Sequence, residues 1–296
     1  MNTVERYAEM LAAKRKPFAL VDGQLFVRQE QWITPFGPAA QQFTVTPSQT
    51  RDLLKKLGGW WVSWTEGFGP EAAASEWYAV ICRHFTPLDK LPAKRRYEVN
   101  RGLKNCEVRQ VDAAEIAQNG HAVHVAALIG YSVGNAGSVP TVKEFSERVL
   151  TDAPFADVKH HWAVYHEGRM IAFAQCYLYG RTEVDYTLIK LHPQHLGLYP
   201  AYALIHRMNE FYLGAQGFGY VNDGWRSIFH ETGVQDFLIQ KFNFEKAPAN
   251  LRVQFRPPLG ALLHISTPLH AMLSRREKRF KAVLELRRLR ASTTAI

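Results

Sequence analysis

Apolar positions along the chain recur with two periods, and the switching between them outlines an α/β protein. Val4, Tyr7, Ala8 and Leu11 share one helical face, so residues 3–15 read as a helix. Phe18–Val21 and Leu25–Arg28 flank Asp22-Gly23, a pair that favours a two-residue hairpin turn. After the Pro/Gly-containing stretch 34–38, Thr46-Pro47-Ser48 opens a helix through Leu57, with Pro where its missing N–H costs nothing. Trp60–Thr65 and Trp77–Cys82 are aromatic and β-branched, hence strands. Residues 89–104 read as a basic helix, 106–111 as a strand, and 112–130 and 140–151 as helices. Trp162–Tyr165, Met170–Tyr179 and Val184–Leu191, separated by Glu167-Gly168 and Gly180-Arg181, read as three consecutive antiparallel strands. The loop 192–200 leads into a helix over 201–215, with Leu204, Ile205, Met208, Phe211 and Tyr212 on one apolar face. A strand over Phe218–Asn222, a turn at Asp223-Gly224, a helix over 227–242, a strand over Leu251–Phe255 and a basic amphipathic helix over 269–290 complete the chain.

From residue 106 the order is β-α-α-β-β-β-loop-α-β-α-β, and the first hundred residues repeat part of it in weaker form. The expected organisation is an N-terminal domain over 1–105, a second domain over 106–260 and the basic C-terminal helix over 261–296. The predicted class is α/β (α+β), with a mixed, mostly antiparallel sheet flanked by helices.

Composition narrows the picture. The 296 residues are 47% hydrophobic and 21% charged, an ordinary globular balance that excludes wholesale disorder and collagen-like repeats. Lys and Arg number 36 against 27 Asp and Glu, a net charge of +9 that favours anionic partners without choosing among them. The three cysteines, Cys82, Cys106 and Cys176, are odd in number and form no C-x-x-C, so a disulfide framework and a thiolate zinc site are not expected. A reducing compartment, the cytoplasm, fits that usage. The N-terminus lacks an apolar signal-peptide core, and no stretch approaches the length of a membrane span, so none is expected.

The element order from 106 to 257 resembles the Gcn5-related N-acetyltransferase superfamily, whose acyl-CoA N-acyltransferase fold is an antiparallel meander ending in a splayed strand. The resemblance implies that Val184–Leu191 is that strand, and that the following loop and helix start hold the pyrophosphate of acyl-CoA through free N–H groups and the helix dipole. Leu191, Gln194, Gly197, Tyr199 and Ala201 would then be the cofactor-binding positions. Gln194 and Gly197 match the family pattern Gln/Arg-x-x-Gly-x-Gly/Ala; Tyr199 departs from it, and a bulky side chain there crowds a close backbone–phosphate approach. Three further segments resemble the Fem peptidoglycan aminoacyltransferase branch: the basic stretch Leu91–Lys104, Tyr220–Ser227 and Phe237–Lys246. That branch carries two such domains in tandem, one of them incomplete in some relatives, and uses aminoacyl-tRNA. Its coiled-coil insertion has no counterpart here. The likeness implies a degenerate copy of the fold in the N-terminal half, acyl-CoA as co-substrate with aminoacyl-tRNA as the alternative, and a small-molecule or peptide amine as acceptor.

Amide formation needs a polarised carbonyl, a base for the amine and a proton for the leaving group. By position in the superfamily, the backbone amides of Ile189 to Leu191 would polarise the donor. Glu183 and Asp185 alternate on one side of their strand and are candidate catalytic acids, or simply an exposed polar face. Asn222, Asp223, Arg226 and Ser227 fall where a strand should end at a sheet opening: Asp223 is a candidate base, the other three candidate substrate contacts, and Asn-Asp-Gly is equally good turn chemistry. Tyr199 and Tyr202 flank the helix start, and either hydroxyl is a candidate acid; Tyr202 also suits packing.

The histidine pairs His121/His124, His160/His161 and His192/His195 lack metal-site spacing, so no metal is expected; His192 or His195 touching phosphate is the weaker alternative. The basic stretches at 94–104 and 275–290 suit a solvated face or a phosphate backbone, and the tail also suits an anionic membrane surface. The rival to an N-acyltransferase is a non-catalytic module of the same fold that binds RNA or another anionic partner.

Overall fold

The computed structural model describes residues 3–72, 75–131, 139–226, 233–257 and Glu285. In chain order the elements are α1 (Thr3–Ala13), β1 (Phe18–Val21), β2 (Gln24–Gln29), β3 (Trp32–Pro35), α2 (Pro47–Leu57), β4 (Trp61–Phe68), β5 (Tyr78–Cys82), α3 (Ala93–Asn105), β6 (Glu107–Val111), α4 (Ala113–Asn119), α5 (His121–Tyr131), α6 (Val142–Leu150), β7 (Lys159–His166), β8 (Arg169–Tyr179), β9 (Glu183–Leu191), α7 (Pro200–Asn209), β10 (Tyr220–Trp225), α8 (Gly233–Phe242) and β11 (Glu245–Phe255). The chain forms two compact units, one of 1–80, 224–236 and 245–296, the other of 81–223 and 237–244.

In the first unit the sheet order is β1-β2-β3-β4-β11. Asp22 and Gly23 both take positive φ, which gives the twist-matched turn between β1 and β2. Helix α2 starts at a capping box in which Thr46 and Gln49 satisfy each other's backbone N–H, and it ends on Gly58 in the left-handed region. Its Leu53, Leu54 and Leu57 pack on Phe26, Ile33 and Val62 of the sheet. The other face carries Trp61, Trp77, Leu251 and Val253.

In the second unit the order is β10-β9-β8-β7-β6, antiparallel except for the β10–β9 pair. One face is covered by α4, α5 and α6, whose Ile116, Val123, Phe145 and Val149 meet Ala163, Tyr165 and Phe173. Helix α7 packs over β7 and β8 and buries Leu204, Ile205 and Met208.

Three expectations change. The single helix over 112–130 breaks at Gly120, which caps α4; an added Cβ there would sit 2.7 Å from the Ile116 carbonyl. The helix over 201–215 is α-helical to Asn209 and then winds as a π-turn over Glu210–Ala215. Asn222, Asp223 and Gly224 are not a turn but the middle of β10, with Gly224 absorbing a φ of +90°. Within the second unit α3 packs on α7, and Gly102 lies so close to the Tyr199 carbonyl that a Cβ would come within 2.5 Å. The tail helix over 269–290 and Ser227 lie outside the described residues, Glu285 apart.

Candidate functional site

The site starts from a disagreement between two strand lengths. β9 and β10 run parallel for three residue pairs only, Tyr220 opposite Glu183, Val221 opposite Val184 and Asn222 opposite Asp185. β9 continues beside β8 as far as Leu191 opposite Ala172. The β10 side of β9 therefore opens after Asp185, the splay expected of Val184–Leu191. Amide direction alternates along a strand. Because His192 donates its N–H to the Ile171 carbonyl on β8, the N–H groups of Ile189 and Leu191 face the open side.

Two carboxylates mark the point of divergence. Asp185 is the last paired residue of β9, and Asp223 is the first residue of β10 beyond the ladder. Burial raises the Asp223 carboxyl to about 7. Burial first, then the charges of Glu183 and Asp223, hold Asp185 well above the usual carboxylate range. Both carboxyls thus hold protons more tightly than a free carboxylate, and Asp223 is poised between acid and base near neutral pH.

Glu183 sits elsewhere. It is 1% exposed and accepts hydrogen bonds from the Tyr220 hydroxyl at 2.5 Å and from Asn222 Nδ2 at 2.9 Å. Neither a surface face nor an open catalytic acid describes it. Asn222, expected at the substrate, is buried and spends its amide on Glu183.

The loop after β9 is a 3-10 turn over Pro193–Leu198, and Tyr199 joins it to α7 with φ of +63°. Gln194 and Gly197 are exposed, Leu191 and Ala201 half-buried, and a Cβ built on Gly197 meets nothing within 4 Å. Tyr199 adopts the left-handed conformation that a glycine would take without cost. Its ring lies 5.0 Å from the Arg101 guanidinium and 5.3 Å from the Tyr202 ring. Cys106 Sγ donates to the Leu198 carbonyl at 3.7 Å, and burial pushes that thiol up to about 11, which suits no nucleophile.

Tyr202 packs among aromatic and charged neighbours of its own unit. It stands edge-on to Phe237 at 5.1 Å and under Lys241, whose ammonium is bound by Glu98 at 3.0 Å. Burial raises its hydroxyl, and the charged groups acting on it are Lys241 and Glu98, not Asp185 or Asp223. Arg226 belongs to the first unit, where its guanidinium lies against Glu76 and Glu285 at 3.6 and 3.3 Å. An anion would have to displace those carboxylates.

The sequence reading overlooked a polar row across the sheet. Lys159, Tyr177, Asp185 and Asn222 are successive partners on β7, β8, β9 and β10. Lys159 is anchored by Asp152 at 2.6 Å, with His161 Nε2 at 3.4 Å from the same oxygen. A lysine at the head of a strand with the apolar centre Trp162–Tyr165 was the available signal. The Tyr186 hydroxyl, bonded to Asn209 Oδ1 at 2.8 Å, escaped notice as well. Among the described residues no set of His, Cys, Asp or Glu is arranged to hold a metal ion, and no helix is long and apolar enough to cross a membrane.

Neither a family model nor a curated protein sequence matches the chain. Solved structures do. The C-terminal domain of a protein assigned as a lysylphosphatidylglycerol synthetase from Agrobacterium fabrum is 13% identical, with 88% of this chain and 94% of that one covered at a TM-score of 0.55. FemX is 10% identical, with coverages of 87% and 92% and a TM-score of 0.56. A tandem GNAT protein from the clavulanic acid biosynthesis pathway is 14% identical over 86% of this chain and 94% of that one, with a TM-score of 0.46. The chain shares its fold with the first two over nearly their whole length, the splayed β9, its loop and α7 included.

Proposed function

We propose that the protein is an N-acyltransferase that moves an acyl group from a thioester donor, acyl-CoA, to an amine. The observation that carries this reading is Asp223, poised near neutrality where β9 and β10 part. A donor carbonyl lying along the open edge of β9 would accept from the Ile189 and Leu191 N–H groups, which stabilises the oxyanion of a tetrahedral intermediate. Asp223 as carboxylate takes the proton from the attacking amine. The C–N bond forms, the C–S bond breaks, and the thiolate takes a proton from Asp185, whose affinity for protons is raised by burial and by the neighbouring carboxylates. The exposed loop with Gln194 and Gly197, and α7 from Ala201, are the donor's anchoring segment, with the dipole of α7 favouring phosphate.

The test is thiol release from acetyl-CoA and longer acyl-CoAs over a panel of amines, with Asp223→Asn as control. Loss of about 100-fold or more in kcat, together with loss of a rise in kcat/KM through pH 7, is expected. Full activity in Asp223→Asn removes that residue from the chemistry. In a thermal-shift scan, a ligand at a hundred times its Kd adds about 2.7 kcal/mol. A shift with charged tRNA and none with CoA would make aminoacyl-tRNA the donor.

One observation favours a second reading, a binding module without turnover. The strained Tyr199 occupies the position where the family places glycine, beside the exposed basic residues Arg101 and Lys104 of α3. Steeply salt-dependent RNA retention with no thiol release from any donor would decide for it.

A further inference from the structure

Three imidazoles gather at the strand side of the loop. His192 directly follows β9 and His195 lies in the 3-10 turn, with ring centroids 5.1 Å apart. His166, the last residue of β7, lies 6.5 Å from His195. Arg169, opposite His166 at the start of β8, is exposed at the same corner. The cluster is pinned: His166 Nδ1 donates to the Asn105 carbonyl at 2.7 Å, and His192 Nδ1 is buried with no hydrogen-bond partner. Three half-buried imidazoles and a guanidinium around one corner repel each other when charged, and the nearest acid, Glu167, is 84% exposed and 3.8 Å from His166. Burial, then His192, His166 and Arg169, hold His195 below the ordinary imidazole value. A polyanion seated there would reverse both penalties.

We propose that His166, His192, His195 and Arg169 form a phosphate-binding cluster at the head of the loop, which takes phosphate groups of the donor and gains protons as it binds them. The proposal rests on the reading of 193–201 as the donor's anchoring segment and adds to it a recognition corner built from a different hairpin. Charged groups on the other packed elements do not neutralise it. Helix α3 brings Arg101, engaged with Tyr199, and the exposed Lys104. Helix α5 brings His121 and His124, whose rings lie against Phe145.

Calorimetric titration of the full chain with inorganic pyrophosphate, CoA and pantetheine, in two buffers of different ionisation enthalpy between pH 5.5 and 8, tests it. Proton uptake is expected for pyrophosphate and CoA, with affinity rising as pH falls, by up to about tenfold per pH unit for each proton gained. His195→Asn and Arg169→Gln should weaken both ligands, and His195→Asn should remove about one proton from the pH slope. A flat pH profile without proton uptake, a wild-type slope in His195→Asn, or failure of both pyrophosphate and CoA to bind overturns the cluster. CoA binding with a flat profile rejects the cluster and leaves the donor reading intact. Histidine-dependent pyrophosphate binding, with CoA no better than pyrophosphate, supports the cluster and removes CoA as donor.

Discussion

The two ends of β9 are built on opposite terms. At its first residue, Glu183 is sealed, 1% exposed and bonded by both Tyr220 and Asn222. At its last residue, Leu191 keeps one ladder to β8 and turns its other edge to an opening, and the loop beyond exposes Gln194 and Gly197. The difference comes from a partner that stops pairing after Asn222. Where β10 stays, polar groups satisfy one another and serve the fold. Where it leaves, the Ile189 and Leu191 N–H groups face the open side, and Asp223 is the first β10 residue beyond the ladder. Two carboxylates two strand positions apart, Glu183 and Asp185, accordingly sit in different surroundings, set by hydrogen bonding and pairing.

Removing the sealed end should have the largest effect. Glu183→Ala leaves the Tyr220 hydroxyl and the Asn222 amide buried without that acceptor, and opens a cavity. A loss of about 2–5 kcal/mol is expected in denaturant unfolding. Glu183→Gln, which keeps one acceptor oxygen, should recover part of it. A loss below about 1 kcal/mol for the alanine variant would mean that this end is as open as the other.

Asp223→Asn should have the opposite sign. The carboxyl titrates at about 7 in the fold and near 3.9 when unfolded, so the folded state binds this proton more tightly. Its contribution is fully favourable below about pH 4 and is lost as pH rises to about 7. Above pH 8 the asparagine variant should be more stable than the parent by about 2–4 kcal/mol, and the two should converge below pH 4. Parallel stability curves across that range would show that Asp223 is not held protonated by burial.

Much of this was legible before any coordinates. The meander from Trp162 to Leu191 and the helix after it follow from strict apolar periods, and the structure places them there. Burial was not legible: Glu183 and Asp185 differ by two residues on one strand face, and the hydrogen bonds from Tyr220 and Asn222 that close off Glu183 come from a strand 37 and 39 residues away. Asn-Asp-Gly reads as a turn on local propensity, whereas pairing of Asn222 with Asp185 carries it into a strand. Arg226 looked free for an anion because Glu76 and Glu285 are 150 and 59 residues away in sequence. The histidine corner draws His166 from a different hairpin than His192, a proximity that no spacing rule encodes.

At the open end, Tyr199→Gly should change stability by no more than about 1 kcal/mol. Release of left-handed strain, of order 1–2 kcal/mol, is offset by loss of the contacts to Arg101 and Tyr202 and by the greater freedom of glycine when unfolded. If Tyr199 crowds the donor, affinity for CoA should rise severalfold in the same variant. A destabilisation beyond about 2 kcal/mol would make the tyrosine a structural anchor instead.

The smallest stability effect belongs to Gly197→Ala, and it separates fold from ligand most cleanly. The built Cβ meets no atom within 4 Å, and the residue is not among those with positive φ, so the folded chain accommodates alanine without strain. The unfolded chain loses some freedom, which favours the folded state by up to about 1 kcal/mol. Nothing in the packing therefore requires glycine here, and what remains is an approach from outside. A methyl group on the exposed crest of the loop would hold a phosphate away from the backbone N–H groups and lower donor affinity by about tenfold or more, with the melting temperature unchanged or slightly raised. Equal affinity in the two proteins would place the phosphates away from this crest, and the loop's open end would then owe its exposure to chain geometry alone.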